Sequence, residues 1–344
     1  MRLIHSVGRL AALSSALFAA HASPITADPP YSSSTSTMAA AVACPDGLTG
    51  KQIILAVHGT SSSGYDSWGA GPYRTVLPKL GPGFDLCWVD LPGRSTVDLQ
   101  LSAEYVAFAI RHLAPSSKSG KVNIISHSQG GPDVTWAMEW FPSTRGLVNV
   151  FVANSPDFHG TNKFDSSEAS VKQGNAPTSA SSLQQADYSN MAKLTKTHVN
   201  TAFVPTVALT STGDEVVGPY PATATLDGIH AVISIQDFCP GYSADHFLMI
   251  IAAPAVQLTF QAFVNNGIID KSQFKRANCQ TYPDGSGFNY TALVPYATTT
   301  IDYIWSVVTA PNAPGEPLFK QYVCDRNAAP QSSCGAGYFP YSSE

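Results

Sequence analysis

Three residue types that together perform acyl transfer occur in this chain in the order serine, acid, histidine, the first two just past strand-like runs and the histidine at the end of a loop. The serine is Ser128, in Ser126-His127-Ser128-Gln129-Gly130-Gly131. Upstream, Val122, Ile124 and Ile125 make a short β-branched apolar run. Downstream, Val134, Trp136, Ala137, Met138, Trp140 and Phe141 recur at helical spacing until Pro142 stops them. A strand, a tight turn and a helix around small-x-Ser-x-small hold a serine on a strained turn with its hydroxyl presented outward. A serine hydroxyl is a poor nucleophile at neutral pH. It needs a histidine base, and the base needs a carboxylate to fix its tautomer and stabilise the imidazolium.

Asp214 follows the strand-like run 204–209 on a turn containing Gly213, and Glu215 beside it is the alternative acid. Of the histidines, His230 and His246 come after the acid. His230 lies in an apolar stretch, 229–235, where a structural role is the plain reading. His246 ends the loop 240–246 just before an apolar run and is preferred on that context. Asp245 reads as a surface carboxylate or a helix cap. His58, His112, His127, His159 and His198 precede the acid. A second small-x-Ser-x-Gly match, Thr60 to Gly64, is set aside because Tyr65 to Pro72, with three Gly/Pro residues, cannot open a helix promptly.

The elements that must position these groups can be read from the same pattern. Gln52 to Val57 is nearly all apolar, as a strand covered on both faces requires, and it ends at His58-Gly59-Thr60, where a glycine lets the backbone aim an N–H at a reacting carbonyl. Asp85 to Leu91 reads as a strand. Asp98 then caps a helix with Leu101, Tyr105, Phe108 and Leu113 on one face. Val148 to Val152 is a further strand, leading to Ala153-Asn154-Ser155-Pro156-Asp157. Strands alternating with helices imply an α/β fold, a mostly parallel central sheet with helices on both faces. Residues 159–200, rich in Ser, Thr, Gln and Ala and without periodicity, are expected as an excursion over the carboxyl edge of the sheet, a candidate cap or lid. Phe247 to Val264 is long and apolar, but Pro254, Gln257 and Gln261 interrupt it; it is expected to pack on the domain rather than to span a membrane.

Composition bounds the rest. The 344 residues are 44% apolar and 12% charged with a net charge of −5, and no cluster of Lys and Arg is present, which excludes a phosphate-tracking nucleic-acid binder. Residues 1–22 have Arg2 and Arg9, an apolar run from Leu10 to Ala20 and an Ala20-His21-Ala22 cleavage pattern, so a signal peptide and secretion to the extracellular space are expected. Residues 23–43 read as a flexible leader or pro-segment, and the ordered catalytic domain as 44–344. The six cysteines, Cys44, Cys87, Cys239, Cys279, Cys324 and Cys334, lie in no C-x-x-C pair and near no histidine at zinc spacing. Disulfides are expected and no metal, with the pairing left open by spacing alone. Asn289-Tyr290-Thr291 is a glycosylation sequon.

In these motifs the chain resembles the Candida antarctica lipase B-like family of fungal secreted α/β-hydrolase lipases. The resemblance rests on the Ser126 to Gly130 elbow, Gly59-Thr60, Gly213-Asp214-Glu215-Val216, Asp245-His246, Cys87-Trp88 and Ser155 to Thr161, and runs from about Cys44 to Cys334. It implies an α/β-hydrolase fold and a triad of Ser128, Asp214 and His246. It further implies an oxyanion hole from the N–H and hydroxyl of Thr60 and the N–H of Gln129, and the pairs Cys44–Cys87, Cys239–Cys279 and Cys324–Cys334. Asp157 and Gln185 would be polar groups of the acyl pocket. His127 stands where the family has a tryptophan shaping the alcohol pocket, and His58 where it has a proline, so chain-length and stereochemical preferences do not carry over. The function expected is a lipase or carboxylesterase acting on an ester or lipid substrate, at an oil-water interface or in solution, as a monomer with no cofactor. An acyltransferase using the same triad, and a non-catalytic secreted binding protein, are the alternatives.

Overall fold

The computed structural model describes residues 27–164, 179–286 and 313–335. The expected signal peptide and the sequon asparagine Asn289 lie outside the described residues.

Among the described residues seven strands make the sheet: β1 (Val42–Ala43), β2 (Gln52–Val57), β3 (Phe84–Val89), β4 (Val122–His127), β5 (Val148–Asn154), β6 (Thr206–Thr210) and β7 (Ala231–Ser234). They are ordered β1-β3-β2-β4-β5-β6-β7, and every pair is parallel except β1 with β3. Apolar runs without alternation become central strands because both faces are covered. Thus Ile53, Leu55 and Val57 enter one apolar cluster while Ile54 and Ala56 enter the other.

The first cluster is closed by α1 (Thr35–Ala40), α2 (Leu99–Leu113) and α3 (Gly130–Trp140). Asp98 starts α2 as its composition suggested, its carboxylate accepting from the Gln100 N–H at 3.1 Å. Two short helices follow from the excursion, α4 (Ala180–Gln185) and α5 (Asn190–Thr195), and the second cluster is closed by α6 (Ala253–Val264). No described helix is long and apolar enough to cross a membrane. Cys44 bonds to Cys87, Cys239 to Cys279 and Cys324 to Cys334. Each such bridge stabilises the fold by about 2–4 kcal/mol, chiefly by restricting the unfolded chain.

Three expectations are corrected. The leader is packed from residue 27 onward, so order begins well before Cys44. Met38 is fully buried, Tyr31 stacks on Phe141 at 5.4 Å, and Val42–Ala43 joins the sheet edge. Ser32 gives its N–H and hydroxyl to the buried carboxylate of Glu104, at 2.6 and 2.9 Å, and Asp28 accepts from the backbone and hydroxyl of Ser143. Averaged composition hid these few anchors. The excursion 159–200 is likewise not patternless where described: Ser179 and Ser189 cap α4 and α5, and Leu183, Met191 and Leu194 are buried. Residues 165–178 of it lie outside the described residues. Finally, Tyr65–Gly69 does form one short helical turn, although five residues make no helix of the kind that backs a nucleophile.

Candidate active site

At the carboxyl end of β4 the chain turns so sharply into α3 that Ser128 takes φ +53°, a left-handed conformation costly for a residue with a side chain. The turn is held by the Ser128 N–H donating to the Asn154 carbonyl at 3.0 Å and by the Gly131 N–H donating to the Ser128 carbonyl at 2.8 Å. Close approach of β2 explains the glycines. A Cβ at Gly130 would lie 2.7 Å from the Val57 carbonyl oxygen, and one at Gly59 would lie 2.7 Å from Ser128 Cβ. The β2 turn therefore sits directly against the serine.

That turn brings Thr60 beside Gln129. The Thr60 hydroxyl donates to Gln129 Oε1 at 2.5 Å and accepts from Gln185 Nε2 at 2.9 Å, and Gln185 Nε2 also reaches Gln129 Oε1 at 3.0 Å. Gln185, the last residue of α4, is how the excursion contributes to the site. The backbone N–H groups of Thr60 and Gln129 have no hydrogen-bond partner among the described residues. Two unengaged donors flanking a strained serine are suited to a developing negative charge on oxygen.

On the other side, the β6 turn and the 240–246 loop are fastened together. The Ser211 hydroxyl donates to the Ala244 carbonyl at 2.6 Å, and a Cβ at Gly213 would lie 2.6 Å from the same oxygen. Asp214 and His246 meet there with both side chains about 1% exposed, His246 Nδ1 lying 2.9 Å from Asp214 Oδ2. Asp214 Oδ1 also accepts from the N–H groups of Val216 and Val217 at 3.0 and 2.8 Å, and Oδ2 accepts from the Tyr220 hydroxyl at 3.1 Å. Burial pushes this carboxyl up, but the hydrogen bond and charge of His246, with the Val217 N–H, outweigh it and leave Asp214 below the usual carboxylate range. With the carboxylate at Nδ1, the proton belongs on Nδ1 and Nε2 is left as acceptor. No hydrogen bond joins Ser128 to His246 among the described residues; such contacts are often loose before substrate binds.

The remaining expected residues divide. Glu215 faces His246 but takes its backbone N–H, at 3.2 Å, rather than its ring. His230 is remote from the pair, its Nδ1 3.4 Å from the Gly267 carbonyl, and Asp245 caps the next turn by accepting from the Leu248 N–H at 2.7 Å. His127 lies beside His246, their ring centroids 4.7 Å apart, with its Nε2 3.0 Å from the His246 carbonyl. Tyr220, a partner of the site, carried no sequence signal, and His58 was marked only as a departure from the family's proline. The latter donates from Nδ1 to the Gly59 carbonyl at 2.8 Å and accepts the Leu91 N–H at Nε2, bracing the β2 turn as a buried neutral ring.

Asp157 is buried after β5, and its carboxyl oxygens have no partner among the described residues. Burial pushes it up to about 7. A second buried carboxyl, Asp133 in the first turn of α3, is raised by burial and then by the charge of Asp157. For a carboxyl raised on folding, the native state retains a proton that the unfolded chain has lost, so stability falls as pH rises from about 4 to about 7. Asp157→Asn keeps the neutral form at every pH. It is therefore expected to gain on the wild type across that interval, by up to about 4 kcal/mol, and to show no further gain above it. Denaturant midpoints of both proteins at pH 4, 7 and 8 check this; a constant difference across the three would contradict it.

No protein-family model matches the chain. Lipase B of Pseudozyma antarctica is 30% identical over 236 residues, 65% of this chain, and the chain spans 65% of the length of that relative. The crystal structure of Aspergillus fumigatus lipase B matches with a TM-score of 0.75 at 26% identity, covering 87% of this chain and 73% of that one.

Proposed function

From a lipase B-like chain with the α/β-hydrolase fold, we propose a secreted serine hydrolase that cleaves carboxylic esters through an acyl-enzyme. Ser128 Oγ attacks the ester carbonyl carbon while His246 Nε2 takes the hydroxyl proton, giving a tetrahedral oxyanion and an imidazolium. The bond to the leaving oxygen then breaks, and His246 returns the proton so that an alcohol departs. Water adds to the acyl-serine by the same sequence, releasing the carboxylic acid and restoring Ser128. Asp214 holds the ring with Nδ1 protonated throughout and stays ionised. The N–H groups of Thr60 and Gln129 receive the oxyanion, and the Thr60 hydroxyl joins them by turning away from Gln129 Oε1.

The observation that carries this reading is one convergence: a serine held at positive φ, with the β2 turn packed against it and two unengaged backbone donors at Thr60 and Gln129, and next to it in the chain His127, whose ring lies 4.7 Å from that of a histidine whose tautomer a buried carboxylate fixes. The signal-peptide pattern of residues 1–22 and the three disulfides support secretion. Asp157, Gln185 and His127 would border the bound ester, and the relatives bearing the name lipase B favour an acyl ester or lipid as substrate.

The test is to offer the purified protein one short-chain and one long-chain ester, in water and in water containing a primary alcohol. Hydrolysis in water, with free acid as the main product, is the expected outcome, and the rate ratio of the two esters places the enzyme between esterase and lipase. Ester exchange outrunning hydrolysis at low alcohol would make it an acyltransferase instead. Cleavage of neither ester would leave a binding protein on this scaffold.

A further inference from the structure

We propose that His127 is a positioning residue that holds the catalytic histidine from behind, by donating its Nε2–H to the backbone carbonyl of His246. The proposal rests on the triad reading above. His246 sits in a loop, between the disulfide-bonded Cys239 and the single turn Leu248–Ile250, so no strand ladder fixes its backbone. Its peptide groups are held instead from two other elements. Glu215 of the acid turn accepts its N–H at 3.2 Å, and His127, the last residue of β4, lies with Nε2 3.0 Å from its carbonyl oxygen. The ring bond to Asp214 makes a third attachment. A carbonyl accepts only, so the His127 nitrogen facing it must carry the proton.

The residue immediately before the nucleophile is therefore tied to the residue that must deprotonate the nucleophile. His127 is 5% exposed and His246 1% exposed, so losing the donor would leave a buried carbonyl unpaired and the loop free to shift toward a new partner. Burial pushes the His127 ring down to about 3, which keeps it a neutral donor through the working pH range. A pocket wall and a clamp predict different behaviour. A wall changes KM and the preference among alcohols. A clamp lowers kcat by a similar factor for every ester, because what is disturbed is the base.

The experiment compares wild type, His127→Phe, His127→Gln and His127→Asn, with Ser128→Ala alongside, on ethyl, butyl and phenyl esters of one acid. Phe keeps a flat aromatic ring, somewhat larger, and removes the donor; a displacement of the base on the order of 1 Å is expected to lower kcat about 10- to 100-fold on all three esters. KM should stay within about threefold, as it does when an interaction is lost from the transition state alone. Gln can place an amide N–H where Nε2 was and should recover most of the loss, whereas Asn is too short to reach and should not. If His127→Phe fails to fold, the contrast between Gln and Asn decides alone. Inactive Ser128→Ala with His127→Phe at wild-type kcat, or Gln no better than Asn, would overturn the clamp and leave the triad standing. Ser128→Ala at wild-type kcat would overturn both.

Discussion

Replacing Ser128 with Ala is expected to lower kcat for ester hydrolysis by about 10⁴- to 10⁶-fold, and His246→Ala by a similar factor. The two losses should not multiply, because the attack needs the hydroxyl and the base as one unit and removing either removes the covalent route. What remains would be the contribution of the oxyanion donors and of binding, since the Thr60 and Gln129 N–H groups are backbone atoms that neither substitution touches. Fold stability should change little: alanine keeps the Cβ and so the same strained turn, and the Ser128 hydroxyl has no hydrogen bond among the described residues. Kinetics on the two single variants and the double variant check this, and a double variant a further 10³-fold slower than either single one, an order-of-magnitude marker of independent action, would contradict it.

The second large effect belongs to Asp214→Asn, expected to cost about 10⁴ in kcat with the geometry preserved. The site dictates which way the new amide would lie. Oδ1 accepts from the N–H groups of Val216 and Val217, so only the carbonyl oxygen of an asparagine can occupy that position. The NH₂ group is then forced into the place of Oδ2, facing His246 Nδ1 and the Tyr220 hydroxyl. A donor there obliges Nδ1 to accept, which moves the ring proton to Nε2 and leaves nothing to take the proton of Ser128. Glu215 cannot substitute, since it is engaged by the backbone N–H of His246. Measured kcat within tenfold of wild type, the least that a lost tautomer should cost on the order-of-magnitude scale, would count against this placement of the proton. The same carboxylate bears on acid stability. Its native value lies below the usual one, so its contribution is complete above about pH 4 and is lost as pH falls through the lower native value.

What was legible in the sequence follows from how each signal is carried. Ser128, Asp214, His246 and Thr60 stand just past apolar runs or Gly-containing turns, and such punctuation survives in one dimension because a parallel sheet delivers all its carboxyl ends to one edge. His127, Glu215 and Tyr220 act through single hydrogen bonds, and His58 through two. That of His127 reaches residue 246, and nothing in its neighbourhood of the chain announces it. The resemblance marked His127 as a pocket residue standing in place of a tryptophan; the structure gives the ring a partner. The N-terminal segment was misread for a different reason. Its Ser and Thr content resembles that of an unstructured tract, but Ser34 caps α1 and Met38 and Tyr31 supply the apolar contacts that fasten it. Helices of six residues such as α4 and α5 complete fewer than two turns, too few for periodicity to emerge. Gln185 was reached through the family pattern, and its link to Thr60 is a contact between residues 125 apart.

The central claim is that Ser128 is the activated nucleophile. The most direct measurement is to treat the wild-type protein with an alkyl phosphonate ester, which is trapped only by a hydroxyl that a base has activated, and to locate the adduct by peptide mass mapping while residual hydrolysis is followed. The expected result is a single adduct on Ser128, with hydrolysis falling in proportion to labelling. An adduct on another residue, including Ser62 at the centre of the Thr60 to Gly64 match, or full hydrolysis surviving complete modification of Ser128, would contradict the account.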